Sequence, residues 1–127
     1  MSTPGNAKVR AVPNLLDCLR AARAVMVEQD AASAPARFKQ LQSELVRARS
    51  LLSFSSTSGR PARFLDAKTG WGRFQALQAV EGSRSLGMPE LGELVLARHV
   101  LLYTHSESNV LLLALRHERQ SEYRLSA

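Results

Sequence analysis

Charged and aromatic residues suited to acid–base chemistry gather where the last apolar run of the chain ends. Arg116, His117, Arg119 and Tyr123 follow directly on the run Val110 to Leu115. A guanidinium holds a phosphate through two hydrogen bonds, and an imidazole titrates near neutral pH. Together these side chains could bind a phosphodiester and move a proton, with His117 as general acid or base.

Arg98 precedes the neighbouring apolar run, and its planar, permanently charged guanidinium is chemically suited to a phosphate. An arginine at a sheet edge in water is an equal alternative, since the strand register is not fixed by sequence. His99 and His105 are interpreted as a strand residue and a turn residue, because no cysteine or acidic cluster at metal spacing accompanies them. Cys18 is interpreted as a small helix packer. We therefore expect no metal and no cofactor.

Two apolar runs must place these residues. Val100 to Tyr103 and Val110 to Leu115 flank the polar sequence His-Ser-Glu-Ser-Asn, which predicts a hairpin. The runs are continuous instead of alternating, a pattern typical of strands with both faces covered. The preceding helices are the predicted cover for one face.

The first half of the chain predicts one strand and a helical hairpin. Lys8 to Val12 alternates as a strand stopped by Pro13, and Asn14 is the predicted N-cap of a helix ending near Gln29. A second helix is predicted to start at Ser33. The predicted core stripes have helical spacing: Leu15, Leu19, Ala22 and Met26, then Phe38, Leu41, Leu45, Ala48 and Leu52.

Composition predicts one ordered domain. The chain has 127 residues, 45% of them apolar and 22% charged, which suits a single domain spanning 1–127 with a loose N-terminus at 1–7. One cysteine and no signal-peptide pattern favour a reducing cytoplasm, and no run is long enough to cross a membrane.

The net charge of +6 is concentrated in the second helix and the loop after it. Glu44 is the one acidic residue between positions 34 and 63, where six basic residues lie: Arg37, Lys39, Arg47, Arg49, Arg60 and Arg63. Such a patch suits nucleic acid or an acidic protein, and a solvated basic face is the alternative.

The order of these features resembles the RelE/ParE toxin superfamily. Near the C-terminus the resemblance consists of the segment ELV-x-x-Arg-x-x-x-x-Tyr from Glu93 to Tyr103, a polar turn, and an apolar strand that runs into Arg116-His117. Earlier in the chain it consists of the second helix and the Gly-Arg-Pro loop at 59–61. The resemblance implies an α+β fold of order β-α-α-β-β-β, with the helical hairpin packed on a mainly antiparallel sheet.

The sequence departs from that pattern in two places. Residues 65–89 are an insertion before the second strand of the family, in which Trp71, Phe74, Leu77 and Val80 predict a helix. This helix could cover the sheet or serve a partner. The ribonuclease members resemble one another in several lysines, whereas Lys68 is the one lysine after the second helix.

The resemblance implies the toxin of a type II toxin–antitoxin system, of the kind involved in plasmid stabilisation and growth inhibition, neutralised by an acidic antitoxin. The ParE-like branch, which inhibits DNA gyrase by binding, is favoured. Alternatives are a RelE-like endonuclease of ribosome-bound mRNA and a degenerate member that only binds; homodimerisation stays open. The catalytic candidates are Arg98, Arg116, His117 and Tyr123, and the partner-binding candidates are Arg37, Lys39, Arg47, Arg49, Arg60, Arg63 and Arg119.

Overall fold

The described part of the chain has an α+β fold, in which two helices and five strands are seen. The computed structural model describes residues 7–61, 90–106, 108–120 and 123. The elements are β1 (Lys8–Ala11), α1 (Pro13–Gln29), α2 (Ala34–Phe54), β2 (Arg60–Pro61), β3 (Glu90–Val95), β4 (His99–His105) and β5 (Asn109–His117). The predicted class is confirmed. The insertion at 65–89 lies outside the described residues.

The strands form one mixed sheet in the order β1-β5-β4-β3-β2. β3, β4 and β5 are antiparallel neighbours, as the predicted hairpin requires, while β1 pairs in parallel with β5. The short β2, which pairs with β3, was not predicted. Its two residues belong to the Gly-Arg-Pro loop, where proline allows pairing only at an edge.

The start of α1 differs from the prediction that Asn14 is its cap. Val12 occupies the N-cap position without a side-chain bond, and Pro13 opens the helix, where its missing N–H was unbonded anyway. Asn14 lies inside the helix instead. Its amide donates to the carbonyl of Leu113 across 3.0 Å and so ties α1 to β5.

The second helix begins after Ser33 as predicted, although the hydroxyl of Ser33 makes no capping bond and donates back to the carbonyl of Asp30. Proline follows in the first turn. Phe54, the last residue of α2, has 70% of its surface exposed. The end of the helix is therefore not held by that ring.

The core lies between the helical hairpin and the sheet. The predicted stripe residues Leu15, Met26, Leu41, Ala48 and Leu52 are buried, and Leu19, Ala22, Phe38 and Leu45 pack against them partly buried. The first six residues of β4 are buried without alternation, so both sheet faces are covered there, as predicted. No described helix has the length and apolarity that a bilayer crossing requires.

Candidate functional site

The face of the sheet turned to the helices holds a pair of histidines. His99 and His117 are direct partners in the β4–β5 ladder, so their side chains share one face. Their rings meet edge to face with centroids 5.2 Å apart. Arg37 of α2 acts electrostatically on His99, which identifies this as the helix side. Residues next to His117 in the strand, such as Arg116, therefore point to the opposite face.

The opposite face holds an ionic cluster centred on Glu93. This carboxylate is 1% exposed, and one of its oxygens, Oε1, lies 3.7 Å from Nε of Arg60. Its other oxygen, Oε2, lies 3.7 Å from Nη2 of Arg116 and accepts a hydrogen bond from the hydroxyl of Tyr123. We call Arg60, Glu93, Arg116 and Tyr123 the Glu93 cluster. It joins three strands and the C-terminal segment.

Two guanidinium groups facing one carboxylate explain why a charge can be buried here. Removing a carboxylate from water costs several kcal/mol unless opposite charges and hydrogen bonds replace the water. Arg116 is further held by a 2.6 Å bond from Nη1 to the carbonyl of Gln120 and lies 5.3 Å from the centre of the Tyr123 ring. The side chains of Arg116 and Tyr123 are thus both engaged in contacts within the protein.

Burial and the nearby Glu93 raise the pKa of Tyr123 well above its usual value. The phenol therefore stays protonated and acts as a hydrogen-bond donor. Tyr123 is 1% exposed, so its hydroxyl is also buried away from solvent. Tyr123 is in this state an anchor for the C-terminal segment.

The Glu93 position was not identified as a site residue from the sequence. The signal in the sequence was a single acidic residue directly before the apolar run Leu94 to Leu96. A buried carboxylate requires partners, but these come from β2, β5 and the segment after β5. Sequence spacing alone does not show that such distant residues meet.

One member of the histidine pair, His99, is neutral at physiological pH. Burial, with smaller contributions from His117 and Arg37, lowers the pKa of His99 from 6.5 to about 4. Nδ1 of His117 accepts the backbone N–H of Arg119 at 3.2 Å. A backbone donor at Nδ1 favours the tautomer with its proton on Nε2.

Arg98 lies in the turn between β3 and β4 and is exposed. Its carbonyl accepts the N–H of Glu118 at 2.8 Å, so this turn is joined to the turn after β5. Its exposure is compatible with both alternatives for this residue, a phosphate ligand and an arginine in water.

The four catalytic candidates are thus divided among three environments. Arg116 and Tyr123 come together, in contact with Glu93. His117 lies on the other face of the sheet, beside His99, and Arg98 lies in an exposed turn. The structure does not bring a general acid or base from this set next to the Arg116 guanidinium.

A second contact holds the loop after α2 against the sheet. The hydroxyl of Tyr103 donates to the carbonyl of Ser56 at 2.8 Å and accepts the N–H of Gly59 at 3.1 Å. Its ring lies against Gly92, where an added Cβ would come within 2.6 Å of the ring carbon Cζ. The phenol of Tyr103 therefore has a defined structural role, which is to hold this loop on the sheet.

The basic surface predicted for partner binding consists mainly of solvent-exposed side chains. Those of Arg37, Lys39, Arg47, Arg49 and Arg119 are exposed, whereas Arg60 contributes to the Glu93 cluster and Arg63 lies outside the described residues. On α2 the cations are interspersed with exposed apolar side chains: Val46 at 66%, Leu51 at 45% and Phe54 at 70%. Mixed apolar and basic character suits a protein partner.

In the part of the chain that the structure describes, no three His, Cys, Asp or Glu side chains are grouped as a metal ion would need. Cys18 is buried in α1, the environment predicted for it. Comparison with family models and with curated proteins finds no match for this sequence.

Proposed function

We propose that the protein is the toxin of a type II toxin–antitoxin pair, of the ParE-like kind, and acts by binding DNA gyrase. The proposal rests on the resemblance of the sequence to RelE/ParE toxins, whose element order β-α-α-β-β-β agrees with the described elements apart from the added β2. An inhibitor of this kind needs a surface and no acid–base pair.

The observation that carries the choice of binding over catalysis is the separation of His117 from Arg116 and Tyr123. A nuclease needs groups that position a phosphate, activate the 2′-hydroxyl and protonate the leaving oxygen within one site. Here the sheet stands between the imidazole and the guanidinium, and the Tyr123 hydroxyl is buried against Glu93. These contacts support a structural role for the arginine and the tyrosine.

The exposed basic and apolar residues of α2 support the second part of the proposal, neutralisation by an acidic antitoxin. Opposite charge speeds encounter and selects the partner, and desolvated apolar anchors supply most of the affinity. Arg47 and Arg49 would provide the charge, with Val46 and Phe54 as anchors.

The test is to induce the protein in cells, follow growth, and assay gyrase supercoiling and mRNA ends in parallel. We expect growth arrest and inhibited supercoiling with intact mRNA. Co-expression of the product of the neighbouring small open reading frame should restore growth. Arg47→Glu combined with Arg49→Glu should weaken that rescue, whereas Arg20→Glu on α1 serves as a control with an exposed charge elsewhere.

The alternative is a RelE-like endonuclease acting on ribosome-bound mRNA. What supports this alternative is that the Arg116 guanidinium and the Tyr123 phenol lie side by side, but both would have to exchange their contacts with Glu93 for contacts with the substrate. Ribosome-dependent cleavage abolished by Arg116→Ala or His117→Ala would establish this alternative. Normal growth with neither effect would instead identify a degenerate member that only binds.

A further inference from the structure

We propose that the outer edge of β1 is a docking site for an extended acidic segment of a partner protein, which adds to the sheet as a further strand. The segment would lie in the groove between β1 and α2. It would pair its backbone with Val9 and Ala11 and place acidic side chains beside Lys8, Arg10 and Arg49. This docking site adjoins the exposed basic and apolar side chains of α2. It differs from them because the partner would also be held by hydrogen bonds to the backbone of β1.

Among the described residues, β5 pairs with one side of the β1 backbone, and no strand pairs with the other side. The N–H groups of Lys8 and Val12 donate to the carbonyls of Ser108 and Leu112, each at 3.0 Å. Alternate residues of a strand turn their backbone groups the same way, so Arg10 also faces β5. Val9 and Ala11 consequently direct N–H and C=O away from the sheet.

Helix α2 closes this edge only at its beginning. The N–H of Ala7 donates to the carbonyl of Ser53 at 3.3 Å, and the hydroxyl of Ser53 donates to the carbonyl of Ala7 at 3.0 Å. Within the described residues the groups of Val9 and Ala11 have no such partner. An unpaired edge of this kind is a template for an added strand.

The groove beside this edge has room for a peptide. Its volume is about 730 Å³, and its lining includes Val9 and Val46, which supply apolar surface, and Ser50 and Ser53, which supply hydroxyls. Val46 is 66% exposed. Side chains at alternate positions of an added strand would meet this wall, which is the usual source of specificity in strand addition.

The charge of the groove selects its occupant. Lys8, Arg10 and Arg49 line it, and among its lining residues there is no acidic side chain. A second copy of β1 would bring the same cations into contact with themselves, and like charges at a sheet edge oppose pairing. A segment that alternates apolar and acidic residues has both the complementary charge and the complementary surface.

If the proposed function is right, the antitoxin is the natural source of this segment, and to that extent the inference rests on it. The docking mode itself does not require toxicity. The experiment below uses a synthetic peptide, so a failed growth or gyrase assay and a failed edge-binding assay can be told apart.

The probe is a soluble peptide that alternates valine and glutamate, with a valine–lysine peptide and a glutamate-rich helical peptide as controls. Binding is measured by calorimetry, and backbone amide exchange is followed by NMR on the full chain. We expect the valine–glutamate peptide alone to bind, and to slow exchange of the Val9 and Ala11 amides at least tenfold. The amides of Lys8 and Val12 should already be slow because they face β5.

Two matched pairs of variants separate backbone pairing from side-chain contact. Val9→Pro removes the outward N–H and leaves the β5 ladder intact, whereas Val9→Ala shortens the side chain and keeps that N–H. We expect the first to weaken binding about tenfold more than the second, since one hydrogen bond is at stake. Arg49→Glu should weaken binding about tenfold, while Arg20→Glu, an exposed cation on α1 outside the groove, should not.

Circular dichroism and thermal unfolding of each variant confirm that the fold is retained before binding is compared. Binding that leaves Val9 and Ala11 exchanging at their free rates would overturn the proposal. So would preference for the helical or the lysine peptide, equal affinity of Val9→Pro and Val9→Ala, or the absence of binding by the valine–glutamate peptide.

Discussion

The hydroxyl of Tyr123 donates its hydrogen bond to the buried carboxylate of Glu93, which lies thirty positions earlier in the chain. Arg60 approaches the same carboxylate from β2, which neighbours β3, and Arg116 approaches it from β5, which lies beyond β4. One acidic side chain thereby joins β2, β3, β5 and the C-terminal segment. The stability of this face of the sheet depends on a charge balance as well as on apolar packing.

Replacing Glu93 with glutamine should lower the free energy of unfolding by about 3 kcal/mol, because it leaves two partly buried guanidinium groups without their anion. Breaking a buried ion pair costs about 3 to 5 kcal/mol. The lower value applies here because the side chain of Arg60 is 34% exposed, so water partly replaces the lost charge. Urea unfolding measures the change. Glu28→Gln, an exposed acid on α1, should change stability by less than about 0.5 kcal/mol. If the two substitutions lowered the free energy of unfolding equally, the buried Glu93 would contribute no more to stability than an exposed acid.

Tyr123→Phe should destabilise by about 2 kcal/mol, the usual contribution of a hydrogen bond to a charged group, while the ring stays beside Arg116. Urea unfolding at neutral pH measures it. Tyr123→Phe in the Glu93→Gln background should cost less than in the native protein, because the acceptor is then neutral. Additive losses would contradict a direct coupling between the two side chains.

Alkaline pH should unfold the protein through its tyrosines. Burial raises the pKa of both Tyr103 and Tyr123, the only two tyrosines of the chain. The folded state thus keeps a proton that the unfolded state loses near pH 10, so their contribution is complete below pH 10 and falls as pH rises through the folded pKa. Tyrosinate absorbance should therefore rise together with unfolding. Absorbance that rises near pH 10 while the protein stays folded would contradict this.

The helical hairpin could be predicted from sequence because its information is local. Leu41 and Leu52 recur at helical spacing, and Pro13 and Ser33 mark the beginnings of the helices. The cap at Asn14 was wrong because its side chain bonds to Leu113, a partner from the far end of the chain. Local signals do not record such competition from tertiary contacts.

The candidate site was less predictable for the same reason. Arg116 and His117 are adjacent in sequence and looked like one cluster, yet neighbours in a strand point to opposite faces. Only pairing with β4 decides which of them meets the helices. Glu93 did not stand out in the sequence, because its cationic partners come from separate elements.

Acid should destabilise the protein through His99, whose pKa is about 4 in the folded state compared with 6.5 ordinarily. The unfolded chain then binds a proton that the folded chain excludes, so stability is lost as pH falls from 6.5 towards 4 and is unaffected above that window. Urea unfolding at several pH values measures the slope. His99→Gln should flatten it, because the glutamine side chain does not titrate. A His99 resonance that titrates near 6.5 would refute the assignment.

Gly92→Ala tests how closely Tyr103 packs on the sheet. The added Cβ would lie 2.6 Å from Cζ and 2.7 Å from the hydroxyl oxygen of Tyr103, so the ring must move and loosen its bonds to Ser56 and Gly59. We expect a loss of about 2 kcal/mol in the free energy of unfolding, in the range for an overpacked core.

Truncating the ring should relieve this clash. Tyr103→Leu destabilises by itself, but Gly92→Ala added to it should then cost less than about 0.5 kcal/mol, whereas added to Tyr103→Phe it should keep most of its cost because the ring remains. Urea unfolding of the two double variants provides the comparison. Gly92→Ala that costs the same in both backgrounds would mean that backbone preference, and not contact with the ring, requires glycine at this position of β3.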